Sequence, residues 1–416
     1  MAESGEVDAI ALECLAERTL VNALRMREAN EEAGFDPRLA RRLRPLLPHA
    51  ARGCRIVTNL GAANPSAAAR ATRRLARELA LPALRVAAII GDDVMARADA
   101  VEWTQPVADG QWIGAHAYLG LDPMVEALAE DADVVITGRV ADSSLVAAAP
   151  VQALGLDGRA VAGALTAGHL LECSGQISGG NLTEPNVPDL DADSYARLGY
   201  PVADVMRDGS AVMRLLEGDP GRLNVVSCTL QLLYEVHDPR RYVTPDAVLD
   251  FTGVRFEPSG HNRVCMSDAR AAERPDRLKV IGFLARRGTI ADIEIAYAGT
   301  GALARARLAA DILRLRIPRE LGLAELMIDL VGVDSVLGAG SRPLAAEPPE
   351  LRVHVSVRCP DADAAQAVED EVYALTISGP AGGGSLRSER RGRVESITGF
   401  LPRERVATRI EWTDAP

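Results

Sequence analysis

The sequence contains few aromatic residues and almost no lysine. Only 4% of its 416 residues are aromatic, so a hydrophobic core must be built mainly from alanine, valine, leucine and isoleucine. Lys279 is the single lysine, which removes most Schiff-base and P-loop lysine mechanisms from consideration. The formal net charge of −12 argues against binding to nucleic-acid phosphates or to an anionic membrane surface.

Metal-binding, disulfide and membrane patterns are also missing from the sequence. The six cysteines form no CxxC pair, and the six histidines form neither HxH nor HExxH, so we expect neither a disulfide framework nor a bound metal. No apolar run approaches the ~18 residues that a membrane span needs. The segment MAESGEVDAI lacks the basic and apolar regions of a signal peptide. We therefore expect a cytoplasmic protein with no membrane partner.

Four short apolar runs alternate with helix-forming segments in the first third of the chain. The runs are continuous, as in strands that a parallel sheet buries on both faces, and they lie at 7–14, 54–61, 84–91 and 133–140. This pattern predicts a doubly wound, mostly parallel α/β sheet in a domain over 1–218. The β-rich pattern after about residue 222 predicts a second α/β or α+β domain over 219–416, with a flexible loop near 380–392.

Polar residues follow each predicted strand. In open α/β sheets, ligands bind in the crevice beyond the carboxyl ends of the strands. This rule favours a polar ligand site, although aspartate and serine at these positions are equally typical of helix caps, and Arg139 could simply pair with an acid. The candidates are Glu13, Asn59, Asn64, Asp92, Asp93, Gly138, Arg139, Asp142 and Ser143.

Two histidine-containing segments are further candidates. His116 lies between two glycines shortly before a predicted helix, where it is either a general acid–base group or a structural hydrogen-bonding residue. In GHLLECSGQISGGN (168–181), His169 and Cys173 more often brace a helix against the core. Glu172 and the turn after it remain candidates for the crevice wall, and the turn residues are Gly179, Gly180 and Asn181.

The segment GTGALARA (299–306) leaves another interpretation open. It follows a predicted strand and begins a helix, which is the setting of a dinucleotide-binding GxGxxA fingerprint. Asp329 ends the next apolar run, about where a ribose-binding acid would stand. A plain turn explains the same glycines, so an NAD-dependent enzyme is the weaker alternative.

Several ordered segments resemble the N-terminal domain of the acyclic terpene utilisation (AtuA-type) family. They run from about residue 8 to about residue 330 and include ECLAERT, RIVTNLGAANP, GDDV, GHLLECSGQISGGN and QLLYEVHDPRRYVTPDAVLDF. The resemblance implies a metabolic role near acyl-CoA chemistry. Relatives usually carry a glycine-rich loop ahead of ECLAERT and often an SGDKG signature. The absence of both here puts any ligand contact at the glycine-rich loop in doubt.

From the residues and the resemblance together, we expect an enzyme that acts on a branched or isoprenoid carboxylic acid. The substrate would be a CoA thioester, and the reaction an addition–elimination or isomerisation without a further cofactor. We expect Asp92 or Asp93 to be the base, His116 an alternate acid–base, Arg139 the carboxylate clamp and Asp142 a further catalytic group. The substrate-binding set is Glu13, Asn59, Asn64, Gly138, Ser143, Glu172, Gly179, Gly180 and Asn181.

The alternative from another functional class is a non-catalytic subunit that binds an acyl ligand within a larger complex. In either case we expect a small-molecule acyl ligand, no nucleic-acid partner and a homo-oligomer.

Overall fold

A computed structural model describes residues 1–107, 110–182, 185–186, 189–340 and 346–413. Its helices are α1 (Glu17–Ala29), α2 (Leu39–Leu43), α3 (Leu47–Ala50), α4 (Pro65–Glu78), α5 (Asp122–Ala129), α6 (Asp142–Leu154), α7 (Gly158–Glu172), α8 (Ala192–Ala196), α9 (Val225–Leu233), α10 (Ala302–Leu321) and α11 (Ala362–Ser378). Its strands are β1 (Ala9–Leu12), β2 (Arg55–Thr58), β3 (Val86–Ile90), β4 (Glu102–Trp103), β5 (Gln111–Ala117), β6 (Val134–Thr137), β7 (Val202–Val205), β8 (Ala211–Arg214), β9 (Tyr242–Val243), β10 (Val248–Asp250), β11 (Arg255–Gly260), β12 (Arg263–Ser267), β13 (Arg270–Ala272), β14 (Arg277–Ala298), β15 (Leu326–Val331), β16 (Glu350–Cys359), β17 (Gly384–Pro402) and β18 (Arg409–Trp412).

The chain forms two compact units. The first comprises Met1–Val107, Ile113–Phe283 and Ser396–Pro416, and the second comprises Ala108–Trp112 and Leu284–Glu395. The boundary expected between residues 218 and 219 falls inside the first unit. Strand β8 lies before that point and forms an antiparallel ladder with β12, which lies after it. This pairing keeps both sides of the expected boundary in one unit.

The first unit contains the parallel sheet that the apolar runs predict. Its strand order is β1-β2-β6-β3-β18; the first four strands are parallel, and β18 is an antiparallel edge strand. Both faces are buried, because Val134 and Ile136 of β6 pack in one core with Leu75 of α4, while Val135 packs in another with Met124 of α5. The prediction of a doubly wound α/β sheet is therefore confirmed.

The first unit also contains two smaller antiparallel sheets. Their orders are β11-β12-β8-β7 and β13-β10-β9. Helix α7 passes very close to the turn between β7 and β8, because Gly163 faces the backbone of Gly209. A glycine is needed there, since a Cβ atom on Gly163 would overlap the Gly209 carbonyl oxygen.

The second unit has an α+β topology. Its elements follow the order β14-α10-β15-β16-α11-β17, and the sheet order is β15-β16-β14-β17. Both helices share a core with the buried residues Val353, Val355 and Val357 of β16. This β-α-β-β-α-β arrangement is ferredoxin-like. The flexible loop expected near 380–392 is wrong for 384–392, because these residues belong to β17.

The glycines of GTGALARA form the start of α10 without a dinucleotide-binding strand arrangement. Gly299 and Gly301 have φ values of +80° and +73°, which suit glycine. The preceding strand β14 is antiparallel to β16, and β16 lies between β14 and β15. A Rossmann fingerprint requires neighbouring parallel strands. Asp329 lies on β15 next to His354, with 3.2 Å between Oδ2 and Nδ1. This strand arrangement therefore gives no support to the alternative of an NAD-dependent enzyme.

The close approach of α7 to the β7–β8 turn should make the stability of the protein sensitive to a side chain at Gly163. Gly163→Ala should lower the free energy of unfolding by about 1–3 kcal/mol, because the new methyl group forces two backbone segments apart. Gly384→Ala is the matched control, since a Cβ atom there meets nothing within 4 Å. Chemical denaturation followed by circular dichroism measures both, and equal stabilities of the two variants would contradict the close packing.

Candidate functional site

The ends of the parallel strands bring several predicted residues together at one edge of the sheet. Glu13 follows β1, Asn59 follows β2, Asp92 follows β3, and Arg139 follows β6. Because parallel strands end at the same edge, these side chains form one polar border. The Asn59 side chain donates a hydrogen bond to Glu13, and the backbone N–H of Arg139 donates one to Asp92.

Asn59 holds Glu13 in place. The Asn59 side chain is fully buried, and its Oδ1 accepts a hydrogen bond from the Cys14 N–H at 2.8 Å. Its Nδ2 donates to Oε1 of Glu13 at 3.1 Å, and the Leu15 N–H donates to the same oxygen at 2.8 Å. Asn59 therefore acts as a positioning residue for Glu13 and joins the ends of β1 and β2.

Asp92 and His116 form a buried pair. Nδ1 of His116 lies 2.9 Å from Oδ2 of Asp92, and their side chains are 1% and 5% exposed. The Arg139 backbone N–H donates to the same Oδ2 at 2.8 Å. We assign the His116 proton to Nδ1, because the carboxylate oxygen accepts from both neighbours. Nε2 of His116 is buried and has no hydrogen-bond partner within the described part of the chain.

Gly138 is required by this pair. A Cβ atom at Gly138 would lie 2.7 Å from Cγ of Asp92, which no side chain tolerates. Gly138 therefore has a packing role, and its expected substrate-binding role stays a prediction. The buried position of Asp92 likewise suits orientation of His116 and Arg139 better than contact with a substrate.

Asp93 points elsewhere and pairs with a cation. Its Oδ2 lies 2.9 Å from Nη2 of Arg27, and its Oδ1 accepts from the Met95 N–H at 3.1 Å. Burial alone would raise the pKa of Asp93, but His116, Arg27 and the Met95 N–H together lower it below its usual value. Asp93 is thus held as a carboxylate in an ion pair.

Arg139 is a buried guanidinium held by backbone carbonyls. Its Nε and Nη2 donate to the Val140 carbonyl at 3.1 and 2.6 Å, and its Nη1 donates to the Leu15 carbonyl. Nη2 also donates to Asp142. The Arg139 guanidinium lies 4.6 Å from the ring centre of Tyr118. With most of its N–H groups engaged in this way, it is less suited to clamp a substrate carboxylate than the sequence predicts.

Tyr118 and Lys279 were not singled out for the site by sequence reasoning. The Tyr118 ring lies close to two cations, because Lys279 Nζ is 4.8 Å from its centre, and its backbone N–H donates to the Lys279 carbonyl at 2.8 Å. Burial raises the pKa of Tyr118, although Arg139 opposes the shift. Only the rarity of lysine could have drawn attention to Lys279.

Three carboxyl groups interact around Arg139. Burial raises the pKa of Asp142 to about 7 against the opposing charge of Arg139, and the charges of Glu13 and Glu172 raise it further. Burial also raises the pKa of Glu172. The Asp142 side chain is 38% exposed, so a small molecule can reach it. This cluster holds a proton near neutral pH beside a fixed positive charge.

His169 connects Glu172 to the core. Its Nδ1 lies 2.8 Å from Oε1 of Glu172, and its Nε2 lies 3.2 Å from the Leu232 carbonyl oxygen. The His169 ring stacks on Phe251 with 5.4 Å between the ring centres. These contacts confirm the bracing role. Burial raises the pKa of the Cys173 thiol to about 11, which makes it a poor nucleophile.

A family model described as "Acyclic terpene utilisation family protein AtuA" matches residues 1–412 of the chain. The chain belongs to the AtuA family. The match extends beyond the span from about residue 8 to about residue 330 that carried the resemblance. The family is implicated in acyclic terpene utilisation, which is a metabolic role. No curated protein matches the chain.

Other predicted residues of this AtuA-family chain serve its local structure. Both amide hydrogens of Asn64 go to backbone carbonyls at 2.8 Å, and its Oδ1 caps α4 by accepting from the Ala67 N–H. Ser143 is buried within α6, where its backbone meets Gly168 of α7. Both residues are therefore less suited to substrate binding than the sequence predicts.

The glycine turn does not present its N–H groups to a ligand. The Gly179 N–H donates to the Gln176 carbonyl at 3.2 Å, and the Gly180 N–H donates to the Gly175 carbonyl at 2.9 Å. The turn itself uses these two N–H groups, so neither is free to donate to a substrate. Asn181 adopts φ +55°, and its Nδ2 lies 3.5 Å from Oε1 of Gln176.

Metal-ligand clusters and membrane-spanning helices are both absent from the described residues. Throughout the described ranges, no group of three or more His, Cys, Asp or Glu side chains is arranged to hold a metal ion. Helices within the same ranges are all too short or too polar to cross a membrane.

Asp92 and Asp93 are adjacent in the sequence, but their replacement should reduce the stability of the protein by different amounts. Asp92→Ala should destabilise the protein by about 1–3 kcal/mol for each donor left unsatisfied, namely His116 Nδ1 and the Arg139 N–H. Asp93→Ala should cost about 1 kcal/mol or less, because its ion pair is partly exposed. Urea denaturation measures both, and equal losses would contradict the different environments of the two residues.

The raised pKa of Asp142 predicts a pH-dependent stability. Burial raises the pKa of Asp142 in the folded state to about 7, whereas an unperturbed aspartate has a pKa of 3.8. The unfolded chain therefore releases the proton first as the pH rises, and folding stability falls. Relative to Asp142→Asn, the wild-type protein should lose stability between about pH 4 and pH 7 and then level off. A constant difference across this range, measured by urea denaturation, would contradict the raised pKa.

Proposed function

We propose that this AtuA-family protein is an enzyme that moves protons on a branched or isoprenoid carboxylic acid, bound as its CoA thioester. The reaction class is addition–elimination or isomerisation. The observation that carries the proposal is the contact between the Asp142 carboxyl group and the buried Arg139 at the carboxyl edge of the sheet, where burial raises the pKa of Asp142. Membership of the AtuA family supports the metabolic setting.

The carboxyl cluster places two carboxyl groups, Asp142 and Glu13, close to the charge of Arg139. Asp142 holds a proton near neutral pH, and the nearby Glu13 is fixed as a hydrogen-bond acceptor by Asn59 and the Leu15 N–H. In an isomerisation, one carboxylate removes a proton from the carbon γ to the thioester, and the other group returns a proton at the α carbon. Hydration uses the same pair to activate water and protonate carbon. This chemistry transfers protons only, so it needs no redox cofactor.

The buried residues keep this pair in position. Asp92 accepts from the Arg139 N–H and from His116, and Arg139 holds Asp142 at the start of α6. In this proposal, Asp92 and His116 are positioning residues, whereas Asp142 and Glu13 touch the substrate. Tyr118, on which Arg139 and Lys279 both lie, forms the adjoining wall.

The test of the proposal is proton transfer in heavy water. Wild-type protein should incorporate deuterium at the α or γ carbon of branched unsaturated acyl-CoA thioesters, as measured by mass spectrometry, together with any hydrated or isomerised product. Asp142→Asn should reduce incorporation by about 10²–10⁴-fold, which is the usual contribution of a general acid–base group.

The matched control is Asp122→Asn, an aspartate at the start of α5 that is 69% exposed and pairs with Arg274. It should behave as the wild type. Undiminished incorporation by Asp142→Asn would refute the acid–base assignment. Binding of the thioesters by wild-type protein without any incorporation would instead support the acyl-ligand binding subunit.

A further inference from the structure

A cavity of about 500 Å³ lies between helix α4 and the edge strand β18 in the first unit. Its helix side carries Arg70, Arg73, Arg74 and Arg77, and its strand side carries Glu411. We call this cavity the arginine groove. The four arginines are spaced i, i+3, i+4 and i+7, which places them on one face of the helix.

The groove has a neutralised part and a cationic part. Oε2 of Glu411 accepts from the Ser66 hydroxyl at 2.5 Å, and Oε1 accepts from Arg409 at 2.5 and 3.0 Å. Arg70 lies 2.8 Å from Glu32. Arg74 and Arg77 are exposed, and neither has an ion pair with any described residue. The part of the groove that Arg74 and Arg77 line is therefore cationic.

Arg73 distinguishes the groove from a helix face that is merely solvated. It is 4% exposed and lines the cavity, yet its Nη1 donates to a backbone carbonyl, that of Leu84, at 2.7 Å. Its Nε is buried without a hydrogen-bond partner, and none of the described carboxylates forms an ion pair with it. A buried guanidinium without an anion is unfavourable, and an anion bound in the groove would remove that penalty.

The size and position of the groove indicate which anion it takes. Ser66 and Arg77 are 11 residues apart on one helix, which is about 16 Å along its axis. Helix α4 begins at Pro65, six residues after Asn59 at the carboxyl edge of the sheet. An elongated ligand with its phosphates at Arg74 and Arg77 can therefore extend along the helix toward the carboxyl cluster.

We propose that the arginine groove binds the phosphate groups at the nucleotide end of CoA. The proposal rests on the CoA thioester of the proposed function and adds a binding site for that part of the substrate. Arginine forks bind phosphate oxygens in bidentate fashion, and three phosphates on one ligand match three neighbouring guanidinium groups.

The test measures CoA binding by isothermal titration calorimetry, without any need for turnover. The groove variant is Arg74→Ala with Arg77→Ala, which changes two exposed residues and leaves Arg73 intact. The charge-matched control is Arg25→Ala with Arg307→Ala, two exposed helical arginines that form no ion pair with the described residues. Thermal denaturation of both variants confirms that they fold.

Wild type and control should bind CoA equally, and the groove variant should bind it at least about 100-fold more weakly, at about tenfold for each lost charge-assisted interaction. Adenosine 3′,5′-bisphosphate should show the same dependence on the variant, whereas pantetheine should bind all three proteins alike. Binding of CoA should weaken as salt is added.

Several outcomes would overturn the proposal. These are equal CoA affinity in the groove variant and the wild type, no CoA binding by the wild type, or inorganic phosphate binding as tightly as CoA. The last result would make the groove a general phosphate site. Failure of the proposed function gives a different result. If the Asp142→Asn variant still incorporates deuterium, the acid–base assignment is refuted, whereas CoA binding in the groove is unaffected.

Discussion

One oxygen atom of Asp92 joins three segments of the first unit. It accepts hydrogen bonds from His116 on β5 and from the backbone N–H of Arg139 after β6, while Asp92 itself follows β3. Gly138 makes this possible, because a side chain there would collide with the carboxylate. The path of the chain after β6 then places Arg139 against the Leu15 and Val140 carbonyls and brings it to Asp142 at the start of α6. That single buried acceptor thereby helps to place Arg139 beside Asp142.

Two buried arginines of the first unit have contrasting partners. Arg139 donates to carbonyl oxygens and to Asp142 and lies against an aromatic ring, so most of its N–H groups have partners within the fold. Arg73 has the Leu84 carbonyl and a buried Nε without a partner. The first arrangement stabilises a framework beside the carboxyl cluster, and the second lacks its counter-charge. The proposed anion site therefore lies at Arg73, which lacks a counter-charge, and the proposed proton chemistry lies at Arg139 and Asp142.

The sequence was informative where burial follows directly from hydrophobic pattern. Continuous apolar runs predicted the four parallel strands, because a sheet covered on both faces tolerates few polar residues. The rule for carboxyl ends then brought Glu13, Asn59, Asp92 and Arg139 to one edge. The rule could not tell which of these side chains are buried and hold others in position, and which are exposed to a ligand. The separate prediction that the glycine turn at 179–181 binds substrate gains no support at Gly179 and Gly180, whose N–H groups are used within their own turn. The glycine- and arginine-rich stretch at 384–392 looks like a loop by composition, yet strand pairing with β14 makes it part of β17.

The sequence by itself determined the parallel sheet, the family and the edge at which polar residues gather. Each of these depends on local pattern or on similarity along the chain. Only the tertiary structure decided which carboxyl group holds a proton near neutral pH. Asp142, Glu13 and Glu172 come from three separate segments, and burial together with the charges that folding brings beside them raises the pKa of Asp142 and of Glu172. The same reason applies to Arg73, which looks like any other arginine of a polar helix until the fold buries it.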